Sequence, residues 1–148
     1  MKEQKQWDKL YLDIAKRYSE ETSCLRRKVG AVITVENRLV SGGYNGCPKG
    51  IPSCRELHKC AREGCKSGEN LQACKSLHAE MNAICQTSLL GTSIKGGTIY
   101  ITTQPCSLCS KLIIGTGLKR VVYRESYPDK EGIELLKEAG VEVEKFEE

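Results

Sequence analysis

The sequence predicts an α/β sandwich with a partly parallel sheet. An amphipathic helix and a hairpin open the chain, and residues 98–145 then alternate strand, helix, strand, helix, strand. Strands that recur after helical crossovers lie parallel, whereas the two arms of a hairpin lie antiparallel, so the sheet must be mixed. A length of 148 residues suits one domain with a real core and is too short for two ordinary ones.

Taken in order, Trp7, Leu10, Tyr11, Ile14, Ala15 and Tyr18 recur at helical spacing and predict the opening helix. Residues 29–35 are apolar and β-branched, residues 36–38 form a turn, and Leu39 and Val40 start a second strand that ends at residues 42–46. From Cys47 to Lys75 there is no clean periodicity. Pro48, Gly50, Pro52, Gly64 and Gly68 mark a long irregular excursion. A loop of this length inside a compact domain is either functional or pinned. A helix begins near Leu77 and His78, with Met81, Ile84 and Cys85 on one face. Residues 98–102 form a strand, residues 106–114 a helix ended by Gly115 and Gly117, and residues 120–123 a strand. Residues 130–139 form a helix closed by Gly140, and residues 141–145 alternate as the last strand. No repeat, linker or low-complexity tract divides the chain, so we expect a single domain over residues 1–148 with a cysteine-rich insertion at about 47–75.

There are 23 basic and 19 acidic residues, a net charge of +4, spread along the chain. Such a balance suits an anionic small molecule without demanding nucleic acid. Residues 1–7 are polar and charged, and no apolar run is long enough to span a bilayer. The expectation is a soluble, cytoplasmic protein with no membrane partner. Nine cysteines are many, and an odd number cannot all pair within one chain. Without a secretory signal they read as metal ligands or small buried side chains. Five of them fall between Cys47 and Cys74.

The chemistry lies in His78 with Glu80, and in Pro105 followed by Cys106 and Cys109. One imidazole and two thiols offer three metal ligands. Structural zinc closes its sphere with four protein ligands, whereas hydrolytic zinc keeps three and leaves a position for water. Cys106 and Cys109, three apart, share a helix face, and the start of that helix favours thiolates. Glu80 is placed to handle protons on the water. Alone, the Cys-x-x-Cys spacing also fits a redox pair or half a structural site, and His-x-Glu is an ordinary helix start. Their combination, with Pro105 before the first cysteine, is far more specific.

These residues resemble the cytidine and deoxycytidylate deaminase superfamily, and the similarity runs over roughly residues 7–143. It is closest to the deoxycytidylate deaminases in residues 24–32, 43–46 and 78–84 and in the pair Tyr123 and Tyr127. The resemblance implies a cytidine-deaminase-like three-layer α/β/α sandwich around a five-stranded mixed sheet. It implies a zinc-dependent hydrolase with His78, Cys106 and Cys109 on the metal. Water, activated by zinc, would attack C4 of cytosine while Glu80 moves protons to ring N3 and the departing amine, so that dCMP becomes dUMP and ammonia for thymidylate synthesis. Asn45 is expected to hydrogen-bond the sugar or base, with Tyr44 and Gly46 beside it. Arg26, Arg27 and Lys28 are candidate phosphate contacts, and Tyr123 and Tyr127 are candidate nucleotide or effector contacts. The resemblance further implies a homo-oligomer, a hexamer, activated by dCTP and inhibited by dTTP.

The same zinc motif leaves open deamination of dCTP, of free cytidine or deoxycytidine, and of tRNA adenosine. A binder of nucleic acid would carry a basic stripe and stacking aromatics, whereas this chain has one Trp and one Phe. A non-enzymatic zinc module would have no use for the unligated Glu80. The insertion has few apolar residues to hold it, so a second, structural zinc is expected there, tying it to the first strand. The resemblance to bacterial and phage members of the family implies Cys24, Cys54, Cys65 and Cys74 as its ligands, with Cys60 or His58 able to replace any one of them.

Overall fold

The structure is a computed structural model that describes all residues from Met1 to Glu148. Its strands are β1 (Gly30–Val35), β2 (Arg38–Tyr44), β3 (Thr98–Thr103), β4 (Arg120–Glu125) and β5 (Glu142–Lys145). Its helices are α1 (Gln4–Ser19), α2 (Cys54–Leu57), α3 (Ala79–Leu90), α4 (Ser107–Thr116) and α5 (Glu131–Glu138). The five strands form one sheet in the order β2-β1-β3-β4-β5. β1 is antiparallel to β2 and β3, whereas β3, β4 and β5 run parallel. The expected mixed sheet is therefore present.

Alternation along the strands builds the layers. Ala31, Ile33, Ile99, Ile101 and Val121 point to one face, against Ala79 and Ala83 of α3, Ile113 of α4 and Leu136 of α5. Val32, Tyr100 and Val122 point to the other, against Tyr11, Leu12 and Ala15 of α1 and against Phe146. The result is helices, sheet, helix. Between β1 and β2, Glu36 and Asn37 both have positive φ, at 52° and 58°, as a two-residue hairpin turn matched to strand twist requires.

Some expectations shift by a residue or two. The buried face of α1 is Asp8, Tyr11, Leu12, Ala15 and Ser19, and Leu10 is 37% exposed. The face was misread because it contains a carboxylate. Asp8 is accepted into the core through Arg120, whose guanidinium donates to both carboxylate oxygens at 2.7 and 2.8 Å, and through the Tyr100 hydroxyl at 2.8 Å. On α3 the buried residues are Ala79, Glu80, Ala83 and Thr87, and Cys85 is exposed. α4 runs through Gly115 to Thr116, and Gly117, with φ 82°, closes it.

Residues 47–75 contain only α2 and a short 3-10 turn at Leu71–Ala73, and Arg62 is their one buried residue. Arginine side chains tie this segment together and to the chain before β1 through backbone carbonyls. Arg26 donates to Arg62 O and Cys65 O, Arg55 to Thr22 O, and Arg62 to Glu69 O and Lys66 O. No helix is long and apolar enough to cross a membrane.

Candidate active site

Two helix N-termini converge beyond the carboxyl end of β3, where open α/β sheets commonly place their ligands. His78 is the extended residue that caps α3, and Cys106 plays the same part for α4. The exposed N–H groups and positive dipole ends of both helices favour the thiolates. His78 Nδ1 lies 3.5 Å from Cys106 Sγ and 3.2 Å from Cys109 Sγ. The three donor atoms lie within 4.8 Å of one another. One imidazole nitrogen and two sulfurs so close together fit zinc in donor type and number, leaving a fourth position for water.

The local electrostatics already favour a thiolate. A hydrogen bond from Cys109, outweighing burial and joined by one from His78, brings the Cys106 thiol down to about 4. The same pairing raises Cys109, and the hydrogen bond to Cys106 raises His78. Glu80 is the second residue of α3 and is only 4% exposed. Burial pushes its carboxyl above the ordinary range. A carboxyl raised in this way accepts a proton more readily than an ordinary one and can return it.

The support behind the metal ligands is close-fitting. A Cβ built at Gly132 of α5 would meet Pro105 O at 2.6 Å, Ser110 Oγ at 2.7 Å and the Cys106 carbonyl carbon at 2.8 Å. At Gly43 of β2 it would meet Ala83 N at 2.7 Å and Ala79 O at 3.0 Å. Both glycines let neighbouring backbone approach the helices that carry the ligands.

A cavity of about 890 Å³ opens over this group. His78, Glu80 and Cys106 line it together with Thr103, Gln104 and Tyr127. Its charged lining is otherwise cationic: Arg26, Arg27, Lys59, Arg62 and Lys75, with Glu80 the single acid. The insertion forms its outer wall, and Ser67 Oγ reaches the Tyr127 hydroxyl at 2.9 Å.

The predicted nucleotide contacts separate into groups. Arg27 lines the cavity and stacks over the Tyr127 ring at 4.9 Å. Arg26 also lines it, but its guanidinium is spent on the carbonyls of Arg62 and Cys65. Lys28 is exposed and outside the cavity lining. Asn45 lines the cavity, yet its Oδ1 accepts from Val29 N at 2.9 Å and its Nδ2 donates to Arg27 O at 2.9 Å. It therefore shapes the segment that presents Arg27, with one N–H left over. Tyr44, Gly46 and Tyr123 are not in the lining. Gly46 instead pairs its backbone with Leu77, beside His78. Lys59, Lys75 and Ser67 belong to the wall, and no periodicity in the insertion pointed to them.

Of the cysteines expected in the insertion site, Cys24, Cys54, Cys60 and Cys74 line the cavity, as does Cys47. Cys65 and His58 do not. Arg26 holds the Cys65 carbonyl, and His58 is an exposed C-cap in left-handed conformation.

Residues 5–125 match the family described as the cytidine and deoxycytidylate deaminase zinc-binding region. The deoxycytidylate deaminase of Saccharomyces cerevisiae is 37% identical over 143 residues, covering 95% of this chain but 45% of its own length. The chain thus spans less than half of that relative. ComE operon protein 2 of Bacillus subtilis is 38% identical over 142 residues, with 95% of this chain and 71% of that protein covered. The crystal structure of the dCMP deaminase from cyanophage S-TIM5, in complex with dCMP and dUMP, superposes with a TM-score of 0.82 at 33% identity, covering 99% of both chains. The metal-ligand trio, the spare carboxylate and these similarities together place the chain in the cytidine and deoxycytidylate deaminase family.

Proposed function

We propose that the protein hydrolyses dCMP to dUMP and ammonia, supplying thymidylate synthesis. One observation carries the choice of a nucleotide. His78, Cys106 and Glu80 line a cavity whose other charged side chains are all positive, and guanidinium and ammonium groups recognise a phosphate. The cyanophage relative solved with dCMP and dUMP supports the same reading.

Zinc held by His78, Cys106 and Cys109 would act as a Lewis acid, making water nucleophilic near neutral pH. Glu80 does the proton work. It takes a proton from the attacking water, places one on ring N3 as the C4–O bond forms, and delivers one to the exocyclic nitrogen as the C4–N bond breaks. One water is consumed, and ammonia leaves a carbonyl at C4. Arg27, which stacks on Tyr127 in the cavity, would meet the 5′-phosphate. The insertion, and the contact between Ser67 and Tyr127, would border the bound nucleotide.

Ammonia release with dCMP, dCTP, deoxycytidine and RNA offered side by side tests this reading. A clear preference for dCMP is expected. Deoxycytidine turned over far better than dCMP would overturn it, and preference for dCTP or tRNA adenosine would select those alternatives. Family membership also supports a homo-oligomer, a hexamer, activated by dCTP and inhibited by dTTP, working in the cytoplasm as one zinc-dependent domain. Sedimentation as a monomer, or kinetics unmoved by both nucleotides, would overturn the assembly or its regulation.

A further inference from the structure

We propose that Gln104 is a positioning residue: it hangs the loop between β4 and α5 from the metal-bearing turn, and so sets how far the Tyr127–Arg27 pair stands from the reacting centre. The kinetic part of this proposal rests on the reading of dCMP as substrate. The first support is the place of Gln104. It directly precedes Pro105 and Cys106, it lines the cavity, and it is 7% exposed. A buried amide has to find partners for its polar atoms. Gln104 finds them in one loop. Its backbone N–H donates to Glu125 O at 2.8 Å, and its Nε2 donates to Asp129 O at 2.8 Å. A carbonyl at Asp129 calls for the amide nitrogen rather than its oxygen, which fixes the orientation of the side chain.

The second support is what lies between those two carbonyls. Ser126, Tyr127 and Pro128 bridge them, and within residues 125–130 Tyr127 alone is half-buried while the rest are exposed. Packing therefore does little to fix the loop. Its other hydrogen bonds are few. The Tyr127 hydroxyl meets Ser67 Oγ at 2.9 Å, and the Glu131 N–H donates to Asp129 Oδ1 at 2.9 Å. Exposed segments with few contacts open at low cost. The Tyr127 ring nonetheless carries the Arg27 guanidinium at 4.9 Å. A cation stacked on an aromatic face is held where the ring is held. The two Gln104 bonds bracket that ring, so they fix its place relative to Cys106.

The coupling has a chemical reason. Attack on C4 requires the ring carbon within about 3–3.5 Å of the attacking oxygen, while the 5′-phosphate sits at the other end of the substrate. One molecule has to satisfy both ends at once. The cation that meets the phosphate must therefore keep a set distance from the metal ligands. Gln104 provides a short route between them, two residues from Cys106 and one hydrogen bond from the Tyr127 loop. The start of α5 offers a rival anchor, because Gly132 stands against Pro105 O. That contact holds the helix but supplies no donor to the Asp129 carbonyl, and the experiment separates the two.

Gln104→Met keeps the length of the side chain and removes its donor. Readings on the whole, zinc-loaded protein test the proposal. Without any nucleotide, amide exchange at Glu131 should accelerate about tenfold while exchange along β3 and α4 keeps its wild-type rate. In kinetics, the ratio of kcat/KM for dCMP to that for deoxycytidine should fall about tenfold, through the KM of dCMP, with zinc content unchanged. In the Tyr127→Ala background, Gln104→Met should lower that ratio no further, because residues that act through one another do not add. Unchanged exchange would overturn the anchoring, whichever substrate is turned over. Faster exchange with an unaltered ratio, or losses that multiply in the double variant, would overturn the positioning role. A wild type that prefers deoxycytidine would overturn the nucleotide reading instead, and exchange alone would then decide the anchoring. Should Gln104→Met lose zinc or fail to fold, Gln104→Glu takes its place in the exchange measurement, since an ionised carboxylate of the same shape cannot donate to Asp129 O.

Discussion

Glu80 ligates nothing in the metal trio, yet it is almost fully buried beside it. Glu80→Gln preserves its shape and removes its ability to carry protons. Zinc content and thermal stability should stay close to wild type while turnover falls on the order of 10³-fold; near-normal turnover would remove Glu80 from the mechanism. His78, Glu80, Cys106 and Cys109 are legible in the sequence because their chemistry is encoded in short spacings. Asp8 is not legible, since its partner Arg120 is 112 residues away. Burial alone would raise the Asp8 carboxyl, but hydrogen bonds from Arg120, Gln4 and Tyr100 outweigh it and hold the group below its ordinary value. A depressed carboxyl contributes stability that is present above its unfolded pKa and is lost as pH falls through the folded pKa. Asp8→Asn should therefore destabilise by about 1–3 kcal/mol at neutral pH, chiefly because Arg120 keeps only the more exposed Glu144 and Glu142 as charge partners. The gap to wild type, read by denaturant unfolding, should narrow in acid below the ordinary carboxylate range. A gap independent of pH would show that the charge of Asp8 does not matter.

At the level of elements, glycine carries different meanings that the sequence does not separate. Gly115 reads as a helix terminator, yet it lies inside α4, where an added Cβ would meet nothing within 4 Å. Gly132 reads as an ordinary position in α5, yet its Cα faces Pro105 O and the Cys106 backbone. Which face of α5 meets the metal-bearing turn depends on packing between α4 and α5, and periodicity alone does not specify such close approach. Intrinsic propensity favours alanine at both positions by about 1 kcal/mol. At Gly115 nothing opposes that gain, so Gly115→Ala should raise stability by roughly 0.5–1 kcal/mol. At Gly132 the crowding of backbone atoms should prevail, since overpacking costs about 1–3 kcal/mol. Gly132→Ala should therefore lower the melting temperature and speed zinc loss to a competing chelator. Equal behaviour of the two variants would show that α5 does not buttress the metal ligands.

Across the whole molecule, three distant segments meet over the trio: the approach to β1, the cysteine-rich insertion, and the loop between β4 and α5. Arg26, Arg27 and Lys28 look interchangeable as adjacent cations, and only this meeting separates them. Arg26 is committed to the Arg62 and Cys65 carbonyls, Lys28 lies outside the cavity lining, and Arg27 stacks on Tyr127 in the cavity. Asn45 holds the Arg27 carbonyl and the Val29 N–H, which presents that guanidinium inward. Long-range contacts therefore assign roles that local composition leaves equal. A hydrogen bond to a charged group is worth about 1.5–3 kcal/mol, which is on the order of 10- to 100-fold in an equilibrium constant. Arg27→Ala should thus lower kcat/KM for dCMP by roughly that factor, mostly through KM, and leave the poor activity on deoxycytidine nearly unchanged. Arg26→Ala should act differently, making the insertion more susceptible to protease before it changes the discrimination between nucleotide and nucleoside. If Arg27→Ala reduces dCMP and deoxycytidine turnover equally, the cation has no phosphate to meet, and its stacking on Tyr127 serves only to hold the cavity closed.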